Sequence, residues 1–98
     1  MTVKICGIPY RIVECEDAFD TSLHMGEIKY GLGEIRINKE LTKEIKKETL
    51  CHEMVHGILV HLGYSNLCDD EQFVQAMGNA INQSFDIIAD NNTDCQWK

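Results

Sequence analysis

The chain is predicted to fold as a single α+β domain: a small, mostly antiparallel sheet of three or four strands followed by two long helices. Three observations predict this. Residues 3–37 contain short runs in which polar and apolar residues alternate between glycine-bearing turns, the period of half-buried strands. Residues 42–62 and 69–89 instead repeat apolar residues every three, four and seven positions, as helices with a buried stripe do. At 98 residues, 44% apolar and 26% charged, there is material for one modest core and not for two. The domain is expected over residues 1–90, leaving 91–98 as a polar, frayed tail with Trp97 packing back.

The elements follow in order. Residues 3–6 and 10–13 are β-prone and separated by Gly7-Ile8-Pro9, which reads as a hairpin. Residues 14–24 show little periodicity and read as a loop or a short helical turn. Residues 26–30 and 34–37 alternate again, with Gly31-Leu32-Gly33 as the turn and Ile28, Tyr30, Ile35 and Ile37 on one face. The first helix begins with Thr42 as N-cap and Glu44 in its first turn, and Gly63 is placed to stop it. Ile45, Thr49, His52, His56 and Leu59 trace its stripe, flanked by Leu50, Met54, Val55, Ile58 and Leu62. Lys43, Lys46, Lys47 and Glu48 leave its early outer face wet. The second helix is expected from an N-cap at Asp69 to about Ala89, burying Val74, Met77, Gly78, Ile81, Phe85 and Ile88.

The chemistry concentrates in the first helix. His52 and His56 stand four apart with Glu53 directly after the first. On a helix such positions share a face, with Cβ atoms ~5–6 Å apart, so both imidazoles can bind one tetrahedral Zn²⁺. Glu53 is rotated ~100° from His52, off the ligand face but within reach of a water at the metal. A catalytic zinc takes three protein ligands and keeps one position open. His61 is rejected as the third, because five residues beyond His56 is a rotation of ~140°. Projected backward, the apolar stripe of the second helix lands on Asp70 and Glu71, and a carboxylate on a buried face wants a partner. Residues 63–70 can span up to ~25 Å, enough to bring the second helix back alongside the first. Glu71 has the longer reach and is the expected third ligand, with Asp70 as its neighbour or substitute.

Net charge is −7 without a basic cluster, which argues against a nucleic-acid partner. No apolar run approaches ~18 residues, so no membrane span is expected. Residues 1–7 carry one lysine and no long apolar run, so no signal peptide is expected either. The five cysteines are odd in number and lack a C-x-x-C pair, which predicts free thiols in a reducing compartment. Cys51 and Cys68 near the histidines make a structural Cys/His site conceivable, but neither has zinc-finger ligand spacing.

The helix motif followed by a downstream Glu resembles the gluzincin metallopeptidases. Within them it is most similar to small relatives carried by phages and mobile elements, through Gly26-x-Ile28-x-Tyr30, Ile35-x-Ile37, Leu41 and Thr49-Leu50-x-His52-Glu53-x-x-His56. The larger ImmA/IrrE-type peptidases, which cleave repressors, are more distant cousins. The resemblance covers residues 26–88. It implies a minimal zincin-like fold, with His52, His56 and Glu71 as zinc ligands and Glu53 as general base. It also implies that residues 26–37 supply a strand along which substrate lies, and that the chain works in the cytoplasm of a bacterial host on a protein or peptide. No second lobe is evident, and no residue is marked as the oxyanion stabiliser. Tyr64, His61, Tyr30 and His24 are the available helpers. The alternative reading is a non-catalytic protein that keeps the zinc helix as scaffold and binds or inhibits a host protein. The presence of Glu53, which only catalysis needs, favours the enzyme.

Overall fold

The computed structural model describes residues 1–16 and 25–85. A hairpin joins β1 (Thr2–Ile5) to β2 (Ile8–Cys15) through a two-residue turn at Cys6 and Gly7. Both turn residues take positive φ, 51° and 83°, the handedness that follows the right-handed twist of the strands. The turn therefore lies earlier than Gly7-Ile8-Pro9: Ile8 already pairs with Ile5, and Pro9 with Lys4. β2 also outlasts its expected end and runs to Cys15.

The second pair of strands is β3 (Gly26–Lys29) and β4 (Glu34–Asn38). A 3₁₀ turn over Tyr30–Leu32 joins them, closed by Gly33 at φ 60°. Tyr30 thus opens the turn rather than ending the strand. Ile35 and Ile37 are fully buried and Ile28 half-buried, as expected of the apolar face, but Tyr30, expected beside them, is exposed on the turn.

The sheet order is β1-β2-β4-β3. Both outer pairs are antiparallel, while the central β2–β4 pair is parallel, making the sheet mixed. Alternation reports which face a residue occupies and not which way its neighbour runs, so this pairing had no sequence signal. One cross-strand ion pair lies on it: Arg11 faces Glu34 in register, with Nη2 3.0 Å from Oε1.

α1 (Lys43–His61) forms as its termini dictate. Thr42 Oγ1 accepts the Ile45 N–H at 3.3 Å. At the other end Gly63 has φ 86°, and its N–H donates to Val60 O at 3.1 Å while Tyr64 N–H donates to Leu59 O at 2.8 Å. These two bonds are the Schellman pattern, which needs a left-handed residue at that point. α1 is buried from two sides. Leu50 joins Val3, Ile5, Tyr10, Ile35 and Ile37 in the core against the sheet. Val55 and Leu59 pack with Val74 of α3 (Glu71–Ser84).

The link between these helices is not extended, because α2 (Ser65–Cys68) makes one helical turn inside it. Asp69, expected to cap the last helix, instead closes α2, and Asp70 caps α3 by accepting the Phe73 N–H at 3.0 Å. α3 ends at Ser84, short of Ala89, with Phe85 already extended. The expectations for His24, Ile88, Trp97 and the 91–98 tail lie outside the described residues. Among the described residues, no helix is long and apolar enough to cross a membrane.

Replacing Gly63 by alanine puts a Cβ on a residue held at positive φ and should lower folding stability by about 1 kcal/mol. Urea denaturation measures this, and an unchanged midpoint would show that the C-terminal cap of α1 contributes nothing.

Candidate metal centre

The face of α1 turned to α3 carries His52 and His56, one helical turn apart with ring centroids 4.9 Å from each other. α3 approaches this face closely because residue 78 is glycine. A Cβ there would lie 3.2 Å from both the Cα and the N of His52. Gly78 is seven residues, two turns, beyond Glu71, so the helix face that touches His52 also carries Glu71. The result is convergence. Glu71 Oε2 lies 3.0 Å from His52 Nε2, and Glu71 Oε1 lies 3.3 Å from His56 Nε2. One donor atom from each residue falls within 4.8 Å of the others, so the three side chains could hold a metal ion. Asp70 does not join them, since its carboxylate is committed to the cap of α3.

The hydrogen bonds behind the histidines bear on what this cluster accepts. His52 Nδ1 is 2.7 Å from Gln75 Oε1, while Gln75 Nε2 donates to Glu48 Oε1 at 2.9 Å and to Asn79 Oδ1 at 3.1 Å. With the amide so oriented, Nδ1 carries the proton and Nε2 turns a lone pair toward Glu71. A lone pair and a carboxylate oxygen at 3.0 Å repel unless a cation lies between them, and a ligating histidine is commonly held through its other nitrogen in this way. His56 is backed by Cys68, with Nδ1 3.0 Å from Sγ. Burial, the largest influence, pushes the His56 pKa below the ordinary imidazole value and keeps the ring neutral, the form that coordinates metal.

Glu53 is buried at 8% exposure, about 100° round α1 from His52, between the ligand face and the sheet. His52 and Glu53, with Met25, Gly26, Glu48, Thr49 and Gln75, line a pocket of about 270 Å³. Glu53 therefore borders both the ligand cluster and an open volume.

The structure describes three of the four possible oxyanion helpers and separates them. His61 turns to the sheet side, where its Nε2 is 2.6 Å from the hydroxyl of the fully buried Tyr10. Tyr64 is exposed beyond the end of α1, and His24 lies outside the described residues. Tyr30 comes nearest, with its hydroxyl 3.8 Å from Cys68 Sγ, behind His56. Burial, then the Cys68 thiol, pushes its pKa well above the usual phenol value, so it stays a proton donor near neutrality.

Three participants have no such role in the sequence reading. Gln75 had a usable signal, since it follows Glu71 by one helical turn and shares its face. Glu48 had one too, standing one turn before His52, yet it reads as part of a solvated face. Cys68 was conceivable only as a ligand of a structural Cys/His site, and its place behind His56 depends on the fold of α2. The chain matches no protein-family model, no curated protein and no solved structure.

Two outcomes are expected. Glu71→Gln should abolish binding of a divalent metal, measured by titration calorimetry, while Asp70→Asn, which keeps a good N-cap, should leave both metal binding and stability intact. Loss of metal in Asp70→Asn would move the third ligand to residue 70. Gly78→Ala should weaken metal binding by about tenfold, the scale of a disturbed supporting shell, because its Cβ meets backbone that cannot turn aside. Unchanged affinity would mean that α3 is placed by other contacts.

Proposed function

We propose that this chain is a zinc-dependent peptidase of the gluzincin type, of the kind carried by phages and mobile elements, acting on a protein in the bacterial cytoplasm. The observation that carries the reading is the convergence of Glu71 on the Nε2 atoms of His52 and His56, with Glu53 beside them on the wall of a pocket. The donor set fits zinc: two imidazoles and one carboxylate, with Nδ1 of His52 held by Gln75 so that Nε2 faces Glu71. Bound zinc would supply Lewis-acid polarisation of a peptide carbonyl and would acidify water at the site.

The protein's own residues do the rest. Glu53 takes a proton from the attacking water as its oxygen bonds to the carbonyl carbon. As the C–N bond breaks, Glu53 returns that proton to the leaving amine, so it begins and ends the cycle ionised. Gln75 and Cys68 hold the two histidines from behind and keep their Nε2 atoms aimed at Glu71. β3 borders the pocket through Gly26, and among the described residues no strand pairs with its outer edge. An extended peptide laid against that edge would be held by backbone hydrogen bonds, as added strands are.

Glu53→Gln tests the assignment of the general base. The variant keeps size and shape but accepts no proton, so zinc content and stability should be unchanged while hydrolysis of a peptide library falls at least ~10²-fold. Zinc lost with the substitution would make Glu53 a ligand. Undiminished biological effect in the host with zinc intact would favour a binding or inhibitory protein built on the same helix.

A further inference from the structure

We propose that the pocket beside His52 is a subsite for a cationic group of the substrate, an ammonium or guanidinium, and that Glu48 is the residue that selects it. The inference deepens the peptidase reading and rests on it for the word substrate. The binding itself is a property of the pocket.

Four observations support it. The first is position. The pocket shares His52 and Glu53 with the candidate centre, so a group seated there lies next to the reacting bond. The second is charge. Glu48 and Glu53 both line the pocket, and no lysine or arginine does among the described residues. Three cations of the surrounding elements are engaged elsewhere, Lys46 with Glu14, Lys39 with Glu16, and Arg36 with Glu34 and Glu27, while Lys47, next to Glu48 in α1, does not line the pocket. Glu48 forms no ion pair among the described residues. Its one hydrogen bond accepts Gln75 Nε2 through Oε1, which leaves Oε2 to meet a ligand.

The third observation is size. Pockets for drug-sized ligands run to ~300–1,000 Å³, so about 270 Å³ suits one long side chain or a chain terminus. The fourth is the lining. Met25 and the methyl of Thr49 stand with Gly26 beside the two carboxylates. An aliphatic stem ending in a cation matches such a wall, with the stem on apolar atoms and the charge at the acid. Gly26 keeps this volume open: a Cβ on it would lie 2.7 Å from Thr49 Cγ2 and 3.0 Å from Arg36 O, so a larger residue would displace Thr49 from the pocket wall.

Glu48 acts through charge, and its hydrogen bond to Gln75 gives it a hold on His52 as well. The two roles are separable. Glu48→Gln keeps an acceptor for Gln75 and removes only the charge, whereas Glu48→Ala removes both.

The test uses the full-length chain and four probes read by ¹H–¹⁵N NMR titration: N-acetyl-lysine amide, N-acetyl-norleucine amide, norleucine amide and N-acetyl-glutamate amide. The lysine derivative carries a side-chain cation and norleucine amide an α-ammonium. The acetylated norleucine carries no charge and the glutamate derivative a negative one. At least one cationic probe should bind about 5- to 10-fold more tightly than acetylated norleucine, the scale of one partly exposed ion pair. It should shift the amides of Gly26, Thr49 and Gln75, and the preferred cation tells side chain from N-terminus. Glu48→Gln should abolish the preference with metal content unchanged, and raised salt should weaken it. Equal binding of all four probes, no binding by any, or a preference surviving in Glu48→Gln would each overturn the proposal. A peptide-library digest separates this from the enzyme reading. Charge-selective binding without hydrolysis keeps the subsite and loses the peptidase; hydrolysis indifferent to lysine and arginine does the reverse.

Discussion

The contact between α1 and α3 at Gly78 sets the distance at which Glu71 meets the two histidines, and the candidate centre depends on that distance. Helices ordinarily pack ~8–10 Å apart, and the side chain at the point of closest approach decides where in that range they settle. With no side chain at 78, the backbone of α3 comes down onto the backbone of α1 at His52. Val74 then fills the space between Val55 and Leu59, and the carboxylate of Glu71 arrives at both Nε2 atoms. The same apolar contacts that hold α3 in place therefore hold a carboxylate against two imidazole rings. The Glu71 side chain is itself two-thirds exposed, so water shares its charge, and a cation between it and the two Nε2 atoms would make the approach more favourable still.

α1 is suited to this because both its sides are occupied. Leu50 anchors it in the sheet core, while Gly57 lets Ile5 and Ile28 come within 3.2 Å of where a Cβ would stand. A helix held on two sides cannot roll, so the ~100° step from His52 to Glu53 becomes a fixed spatial relation. One step faces α3 and its carboxylate, and the next faces the sheet edge and the pocket. The division of labour proposed for ligand and base would follow from helical pitch once the helix itself is immobilised.

Behind the centre runs a polar chain from Asn79 and Glu48 through Gln75 to His52. Its members come from two helices, so it ties their register to the tautomer of the imidazole. It also couples the pocket to the ligand cluster, since Glu48 both lines the pocket and anchors the amide that holds His52. Loss of the Glu48 acceptor would thereby be felt at His52 through two hydrogen bonds, whereas loss of its charge alone would not.

The α+β class, both hairpins, the limits of α1 and the two-histidine face were readable along the chain because each rests on local rules. These are strand alternation, a Thr cap and a Gly stop, and the i, i+4 spacing of a helix. Projecting the apolar stripe also brought Glu71 to the histidines, but the carboxylate stands two-thirds exposed and not on a buried face. Other features had no local signature. The parallel β2–β4 pairing depends on chain direction, to which side-chain alternation is blind. Asp69 and Asp70 are both competent caps, and only the turn of α2 assigned one to each helix. His61 looks like a spare catalytic imidazole until α1 is rotated against the sheet, where it meets Tyr10. Glu48 stands on the exposed face, as its pattern predicts, and only the packing of α3 and β3 shows that it also edges a pocket. Local sequence determines which side chains share a face of one element; only the packing of elements decides what that face meets, because contacts between distant segments depend on shape and volume summed over the whole core.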